Sequence, residues 1–494
     1  MALIITYLNI NHHNIIRNIM SAIVKLAESF LGFKVKKSPI LEQRNSILKL
    51  LILINTPNLL ILWLLNTHVP QPYMDEQFHY DQFLAYSRND FAYWNHKLTT
   101  PPGLYYLQRL FSILLGDQLC TLRCLNSLVF GNLFLIFAMK IYEFLDHNRN
   151  NLSRSINLAL TPTIYFFTFL DYTDAASLAF VTMAFYYNIV RSTNRLFVLS
   201  LLAVATRQNN IVWVGYMFFY RIATDYAASI GSIRGNIFRS TLCFFKIVFL
   251  NKFDILRKNI LQLSIVPLLA FYLYRYNDGQ LVFGDRQNHQ PVFHPTQLLY
   301  LSLFIIVNLP ISLADYFANI IQAFNRIYYS RHALATYLFL LSLCLLVVDK
   351  FSYVHAFTLA DNRHYIFYIY RYFKWAKFLM CLVYPLCFIL LTRVIVKSKD
   401  KLVKFIMWWV FTSLYLMSSG LVEFRYFAIP FAVLTFEIIN DPLTIDVEQM
   451  HRRNLSLKQQ HRMIWTTLGK VLVNGLVLYM FMMRPFGDGS RFMW

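Results

Sequence analysis

Charged residues are scarce in this sequence, and their scarcity excludes most soluble proteins. Asp, Glu, Lys and Arg make up 14% of the 494 residues, whereas soluble domains carry about 25%. Hydrophobic residues make up 57% and aromatic residues 17%, and the mean hydropathy is +0.44. The alternating pattern of a membrane barrel is also missing, so helices must be the spanning elements, because backbone groups need partners in hydrocarbon. We therefore predict an all-α multi-pass membrane protein.

Cysteine is scarce as well, and its placement excludes two kinds of site. The six cysteines form no CxxC pair, and nearly all of them lie inside apolar segments, where small buried thiols are common. We therefore expect neither a disulfide framework nor a zinc site. These residues are Cys120, Cys124, Cys243, Cys344, Cys381 and Cys387.

Acidic residues are few relative to basic ones, 25 against 46, which gives a formal net charge of +21. In a soluble protein this excess would indicate nucleic-acid binding. Here the Lys and Arg residues cluster between apolar runs, as on the cytosolic side of membrane proteins. We therefore predict a basic cytosolic segment over residues 1–46 and a single polytopic membrane domain over residues 47–494. The loop 67–118 then faces the lumen.

The apolar runs are long enough and numerous enough to predict about thirteen membrane spans. The charged loops between them alternate in a way that agrees with positive residues on the cytosolic side. The predicted spans are 47–65, 119–145, 156–171, 174–190, 196–206, 209–222, 259–275, 297–316, 335–351, 376–396, 402–419, 424–440 and 467–483.

The densest group of ionisable residues follows the first predicted span, where Asp75 and Glu76 adjoin and His79 comes four residues after Asp75. Carboxylates at a helix start can simply complement the helix dipole. Ionisable groups beside a span are costly, however, and usually functional. A metal site at Asp75 and His79 is the third interpretation, and it lacks a third ligand.

A second polar group, in a loop predicted to be luminal, contains Asp361, Arg363 and His364, followed by Arg371. Net positive charge there runs against the usual bias and suits a lipid-linked phosphate. Ordinary anchoring of the chain at the membrane interface is the alternative.

Three further polar segments are less specific. Arg207 interrupts an apolar region, where it either pairs with Asp171 or Asp174 or faces the same cavity. Glu423 and Arg425 could form an ion pair. The polar segment 284–290 is typical of a solvated loop rather than of a site.

At these positions the sequence resembles the dolichyl-phosphoglucose-dependent alpha-1,2-glucosyltransferase family, and the resemblance spans nearly the whole chain. The matching residues follow that family's order. They are Met74, Asp75, Glu76, Phe78, His79, Trp94, Thr99, Thr100, Pro101, Pro102, Gly103, Leu104, Tyr105, Arg207, Gln208, Asn210, Ile211, Val212, Trp213, Gly284, Asp285, residues 359–365, Glu423, Phe424, Arg425, Tyr426 and residues 491–494.

The resemblance implies a C-type glycosyltransferase fold in the endoplasmic reticulum membrane, with its active site facing the lumen. The implied reaction adds the last glucose to the diglucosylated, dolichyl-diphosphate-linked oligosaccharide used for N-glycosylation. The donor is dolichyl-phosphoglucose, whose β linkage becomes α in the product, so one inverting displacement with one general base is expected. No metal cofactor is expected, since dolichyl phosphate is already a good leaving group.

Roles for particular residues follow from the implied reaction. The catalytic base is expected to be Asp75, with Glu76 as the alternative or as a residue that orients the acceptor. Cationic groups should stabilise the departing phosphate, and the candidates are Arg363, His364, Arg371 and, more weakly, Arg207. Acceptor contacts or structural support are expected from His79, Thr99, Thr100, Asp361, Glu423 and Arg425.

Three rival functions remain at this point. A transporter or lipid scramblase would also have many spans with charged residues, but the sequence shows no inverted repeat. A mannosyltransferase of the same fold differs only in its donor sugar. A regulatory membrane partner of another complex is the third possibility.

Overall fold

Helices are the dominant element of the computed structural model, which describes residues 39–145, 151–226, 237–309, 313–373, 375–395, 399–438 and 452–493. Within these ranges there is no β-strand, and only two isolated β-bridges occur. The prediction of an all-helical chain is therefore confirmed. The predicted cytosolic segment 1–46 lies outside the described residues except for its end.

The first half of the described chain contains ten helices, one π-helical segment and one 3₁₀ turn. They are α1 (Pro39–His68), α2 (Glu76–Ser87), α3 (Gly103–Leu115), α4 (Leu119–Cys124), the π-helix Leu125–Phe130, α5 (Gly131–Leu145), α6 (Asn151–Ala159), α7 (Pro162–Phe167), α8 (Thr173–Ile189), α9 (Thr193–Thr206), the 3₁₀ turn Gln208–Asn210 and α10 (Ile211–Asp225).

The second half contains the remaining helices and a second 3₁₀ turn. They are α11 (Ile237–Leu250), α12 (Lys252–Lys258), α13 (Ile260–Leu263), α14 (Ile265–Tyr276), α15 (Thr296–Asn308), α16 (Leu313–Tyr329), α17 (Arg331–Phe351), α18 (Ala356–Ala360), α19 (Tyr365–Phe373), α20 (Ala376–Met380), α21 (Tyr384–Ile395), α22 (Lys399–Leu416), the 3₁₀ turn Phe424–Phe427, α23 (Ala428–Ile438) and α24 (Arg452–Met483).

Three helices of the described chain are each long and apolar enough to cross a membrane, namely Leu119–Leu145, Arg331–Phe351 and Arg462–Met483. Two bent pairs raise this number to five, and one of them joins Lys252–Lys258 to Ile260–Tyr276 at 81°. These helices are the membrane-crossing candidates that length and composition support.

Several predicted spans are interrupted where polar residues or proline end a helix. The predicted span 156–171 consists of α6 and α7, because Thr161 precedes Pro162 and takes an extended ψ of 124°. The gap predicted between the spans 196–206 and 209–222 is present, since α9 ends before Arg207, which is extended (φ −146°, ψ 118°). Such breaks place polar backbone and side chains between apolar helices.

Helix α8 forms the centre of the core and is buried on nearly every side. It packs against α5, α9, α10 and α23. Its buried Ala176, Ala179 and Ala184 are 0% exposed, and such small residues allow neighbouring helices to approach closely. Because α8 is held from all sides, the turn at its N-terminus has a fixed position.

The C-terminal residues tie two helix ends to a loop. The Arg491 guanidinium donates hydrogen bonds to the carbonyl of His68 (2.7 Å) at the end of α1 and to that of Met482 (2.6 Å) at the end of α24, as cations often do at helix C-termini. The amide of Met493 donates to the Arg363 carbonyl at 2.9 Å. The tail therefore joins the ends of α1 and α24 to the segment before α19.

Candidate active site

A cavity of about 670 Å³ lies where the ends of many helices meet. It is lined by segments far apart in sequence, which supply both charged and aromatic side chains. Ten of the predicted site residues line it: Asp75, His79, Thr99, Thr100, Arg207, Asp361, Arg363, His364, Glu423 and Arg425. The fold thus brings together predicted residues from five separate stretches of the described chain.

Glu76 does not line this cavity; it forms a buried ion pair instead. Glu76 and Arg123 are both 0% exposed, and the guanidinium donates to the two carboxylate oxygens at 3.0 and 2.6 Å. The amides of Asp171 (2.7 Å) and Tyr73 (3.0 Å) donate to the same carboxylate. Both carboxylate oxygens are therefore engaged inside the protein, and Glu76 is not exposed to the cavity.

Arg371 also lies away from the cavity. Its side chain is exposed on α19, and its guanidinium lies over the rings of Phe367 (5.4 Å) and Tyr372 (5.8 Å). Arg371 lies one helical turn beyond Phe367, which does line the cavity. The geometry therefore gives Arg371 no contact with a phosphate in this cavity.

Asp75 precedes α2 and presents its carboxylate to the cavity. The preceding residue, Met74, has a left-handed backbone with φ 56°, a conformation that costs a non-glycine residue about 1–2 kcal/mol. The Asp75 amide donates to the Tyr172 hydroxyl at 3.2 Å, and the side chain is 43% exposed. Backbone strain of this kind often marks a functional residue, and here it sets the direction of the carboxylate.

Arg425 lies among three carboxylates at the centre of the cavity. It pairs with Glu423, with Asp75 at 3.2 Å and with Asp174 at 3.7 Å. Asp174 also pairs with Arg207 at 2.8 Å. Three carboxylates thus face two guanidinium groups, which leaves one negative charge in excess.

The partner of Arg207 is therefore Asp174 and not Asp171, the other alternative from the sequence. Asp171 instead accepts a hydrogen bond from Gln108 at 2.6 Å. Glu423 and Arg425 form the predicted ion pair.

Arg363 is oriented by a forked ion pair with Asp361. Its Nε and Nη2 atoms donate to the two Asp361 oxygens at 2.7 Å each, the bidentate geometry that orients arginine most strictly. Burial would raise the pKa of Asp361, but the hydrogen bonds and charge of Arg363 outweigh burial and lower it. Asp361 therefore stays ionised, and Arg363, which lines the cavity, keeps its Nη1 group outside this fork.

His79 is buried beside the cavity in an aromatic setting. Its Nδ1 lies 2.7 Å from the Tyr105 hydroxyl, and its ring lies beside that of Tyr172. Burial lowers the pKa of His79 to about 4, because the imidazolium loses its hydration. His79 is therefore neutral at physiological pH and does not act as a cation for phosphate.

The described residues contain no group of three or more His, Cys, Asp or Glu side chains arranged to hold a metal ion. The pair Asp75 and His79 thus gains no third ligand of these types from this part of the chain.

Comparison with known proteins gives the family. A model of the DIE2/ALG10 family matches residues 69–436. The chain belongs to the DIE2/ALG10 family. This confirms the resemblance seen in the sequence, and no solved structure matches the chain.

Curated relatives share one name, Dol-P-Glc:Glc(2)Man(9)GlcNAc(2)-PP-Dol alpha-1,2-glucosyltransferase. The relative from Rattus norvegicus is 28% identical over 474 residues, covering 86% of this chain and 93% of the relative. The relative from Drosophila melanogaster is 29% identical over 381 residues, covering 72% and 82%. The relative from Candida albicans is 27% identical over 408 residues, covering 76% and 86%.

Other residues at the site were not predicted as site residues from the sequence. Asp174, considered only as an ion-pair partner, pairs with Arg207 and Arg425 but does not itself line the cavity. Lys97, Asp285 and His289 line the cavity, although the segment 284–290 was interpreted as a solvated loop. Asp285 has a left-handed backbone conformation, which leaves no hydrophobic pattern in the sequence. The signal in the sequence that could have found it is the family resemblance, which includes both Gly284 and Asp285.

The buried pair predicts a loss of stability when Glu76 is neutralised. Glu76→Gln leaves the Arg123 charge buried without its counter-ion, which should cost about 3–5 kcal/mol of folding free energy. Thermal unfolding in detergent should show a large fall in Tm, whereas Glu143→Gln, at an exposed position on α5, should leave Tm unchanged. A Glu76→Gln protein of normal Tm that has lost activity would instead make Glu76 catalytic.

Burial of His79 predicts a contribution to the pH dependence of stability. Above pH 6.5 the ring is neutral in both the folded and the unfolded chain, so it adds no pH dependence. As pH falls from 6.5 towards 4, only the unfolded chain gains the proton, and folding weakens by roughly 1–2 kcal/mol at pH 5. Unfolding followed between pH 7.5 and 5 should therefore show a shallower decline for His79→Gln than for wild type; equal slopes would contradict the burial argument.

Proposed function

We propose that the protein transfers glucose from dolichyl-phosphoglucose to the terminal glucose of the diglucosylated dolichyl-diphosphate-linked oligosaccharide and forms an alpha-1,2 bond. The observation that carries this proposal is that Asp75 and the Asp361-bound Arg363 line one cavity in a member of the DIE2/ALG10 family. The printed names of the relatives support the donor and the acceptor.

In the proposed reaction, Asp75 takes the proton of the acceptor 2-hydroxyl. The hydroxyl oxygen then forms a bond to the anomeric carbon of the donor glucose while the bond from that carbon to the phosphate oxygen breaks. The electron pair leaves with dolichyl phosphate, and the β linkage becomes α. Asp75 suits this role because it is the most exposed carboxylate of the central three and lies beside one excess negative charge.

Charge on the departing phosphate is proposed to be stabilised by Arg363 and His364. Arg363 suits this task because Asp361 engages only one side of its guanidinium and the fork fixes its orientation. Arg207 and Arg425 have carboxylate partners, so their proposed role is to hold Asp174 and Asp75 in place. His79, Thr99 and Thr100 are proposed to contact the acceptor.

We further propose that no metal is needed, because dolichyl phosphate leaves readily and fixed cations can compensate its charge. The proposed architecture is a C-type glycosyltransferase of about thirteen spans in the endoplasmic reticulum membrane. Its cavity is proposed to face the lumen, in agreement with the placement of the basic loops. The membership of the DIE2/ALG10 family favours this function over a transporter, and the glucose in the relatives' names favours it over a mannosyltransferase.

The proposal is tested by glucose transfer from synthetic dolichyl-phosphoglucose to a diglucosylated lipid-linked acceptor, with EDTA present. Purified wild type should form an alpha-1,2-linked product, and Asp75→Asn should lower kcat about 100-fold or more, as expected when a general base is removed. The matched control Asp117→Asn, at an exposed position before α4, should keep full activity.

Folded wild type that transfers no glucose would refute the proposed function. Transfer that requires added divalent cations would refute metal independence alone. Full activity of Asp75→Asn would move the base to another residue.

A further inference from the structure

One wall of the cavity has no part in the proposed chemistry so far. It is formed by the loop before α3, which contributes Lys97, and by the loop between α14 and α15, which contributes Asp285 and His289. This set, called here the loop wall, carries both signs of charge. An ordered polar wall in a substrate cavity indicates recognition of a polar ligand.

Several contacts hold the loop wall rigidly. The Asp285 amide donates to the His96 carbonyl at 2.7 Å. A Cβ atom on Gly284 would lie only 2.4 Å from that same carbonyl oxygen, so the two loops approach as closely as glycine allows. Gln208 then donates to the carbonyls of Thr99 and Leu281 at 2.8 Å each. The two loops therefore form one braced unit.

Asp285 has an unusual backbone conformation, and its carboxylate uses only part of its hydrogen-bonding capacity within the protein. Its φ is 48°, in the left-handed region that Asp tolerates better than most residues. One oxygen accepts from the Asn288 side chain at 2.7 Å, and the other lies 3.5 Å from Nδ1 of His289. The side chain is 14% exposed. A carboxylate has about four acceptor positions, so Asp285 retains capacity for a ligand.

Contacts connect the segment around Asp75 with two other parts of the cavity lining. On one side the Tyr73 hydroxyl donates to the Arg491 carbonyl at 2.6 Å. Two residues later, the Met493 amide donates to the Arg363 carbonyl. This is the proposed phosphate side.

On the other side, contacts lead from the base segment to the loop wall. His79 contacts Tyr105, the ring of Trp94 packs against Tyr105 and against Phe283, and Phe283 precedes Gly284 and Asp285. In an inverting displacement the nucleophile enters opposite the leaving group. With phosphate at Arg363, the acceptor sugar needs polar partners elsewhere in the cavity, and the loop wall supplies charged ones.

We propose that Asp285, with Lys97 and His289, binds the terminal glucose of the acceptor. This inference rests on the proposed function. The Asp285 carboxylate accepts hydrogen bonds from sugar hydroxyls other than the 2-hydroxyl that reacts, and the Lys97 ammonium donates to a neighbouring sugar oxygen. Hydrogen bonds to charged groups are the stronger ones, so this wall fixes the orientation in which the 2-hydroxyl meets Asp75.

The test compares Asp285→Asn with Asp278→Asn in steady-state transfer assays. Asp278 is a matched control, because it lies in the same loop with a similar φ of 53°, is 85% exposed, pairs with Arg286 and does not line the cavity. Asp285→Asn should raise the acceptor KM about tenfold or more and change the donor KM less than twofold. Asp278→Asn should change neither.

A second readout uses acceptors that lack one hydroxyl of the terminal glucose, other than the 2-hydroxyl. Wild type should lose affinity for at least one of these acceptors, and Asp285→Asn should bind that acceptor and the complete one equally well. A merely structural defect in Asp285→Asn would weaken the binding of all acceptors by the same factor. The variant would then keep the wild-type preference for the complete acceptor.

If Asp285→Asn has an unchanged acceptor KM, or a raised donor KM alone, the inference is overturned. The proposed function still stands in that case, provided that wild type transfers glucose. Wild type that transfers nothing would refute both. If Asp285→Asn does not fold, Lys97→Gln at an exposed position decides the question: a rise of about threefold in the acceptor KM with the donor KM constant supports the inference, and no change overturns it.

Discussion

The site depends on one buried ion pair. A charge without hydration must be matched by an opposite charge and by hydrogen bonds, or folding becomes too costly. Glu76 meets this requirement through Arg123 and through the amides of Tyr73 and Asp171. The pair thereby fixes the start of α2 against α4 and against the turn before α8. Asp75 is the adjacent residue, so its position follows from a contact that involves no substrate.

The adjacent acidic residues Asp75 and Glu76 thus differ in their surroundings and in the exposed fraction of their side chains. Glu76 is 0% exposed and fully bonded, whereas Asp75 is 43% exposed and faces the cavity. Around Asp75, Arg425 and Arg207 neutralise most of the charge of Asp174 and Glu423. The result is an ordered ionic centre in which one carboxylate retains access to a ligand. The phosphate side and the loop wall line the same cavity as that carboxylate.

Composition was sufficient to predict an all-helical chain, because lipid leaves the backbone few alternatives. Most of the site residues could also be predicted, since charged residues stand out in apolar sequence. The roles of Glu76 and Arg371 could not, because the choice between a buried and a cavity-facing side chain depends on distant partners. Arg123, for example, lies 47 residues from Glu76. Asp285 was missed for a related reason, since its placement results from close packing between two loops.

A structure of the protein with a donor analogue and the acceptor bound would test the central claim most directly. We expect the Asp75 carboxylate within hydrogen-bond distance of the acceptor 2-hydroxyl, the donor phosphate against Arg363, and the acceptor glucose against Asp285. A phosphate bound at the loop wall, or an acceptor hydroxyl remote from Asp75, would contradict it.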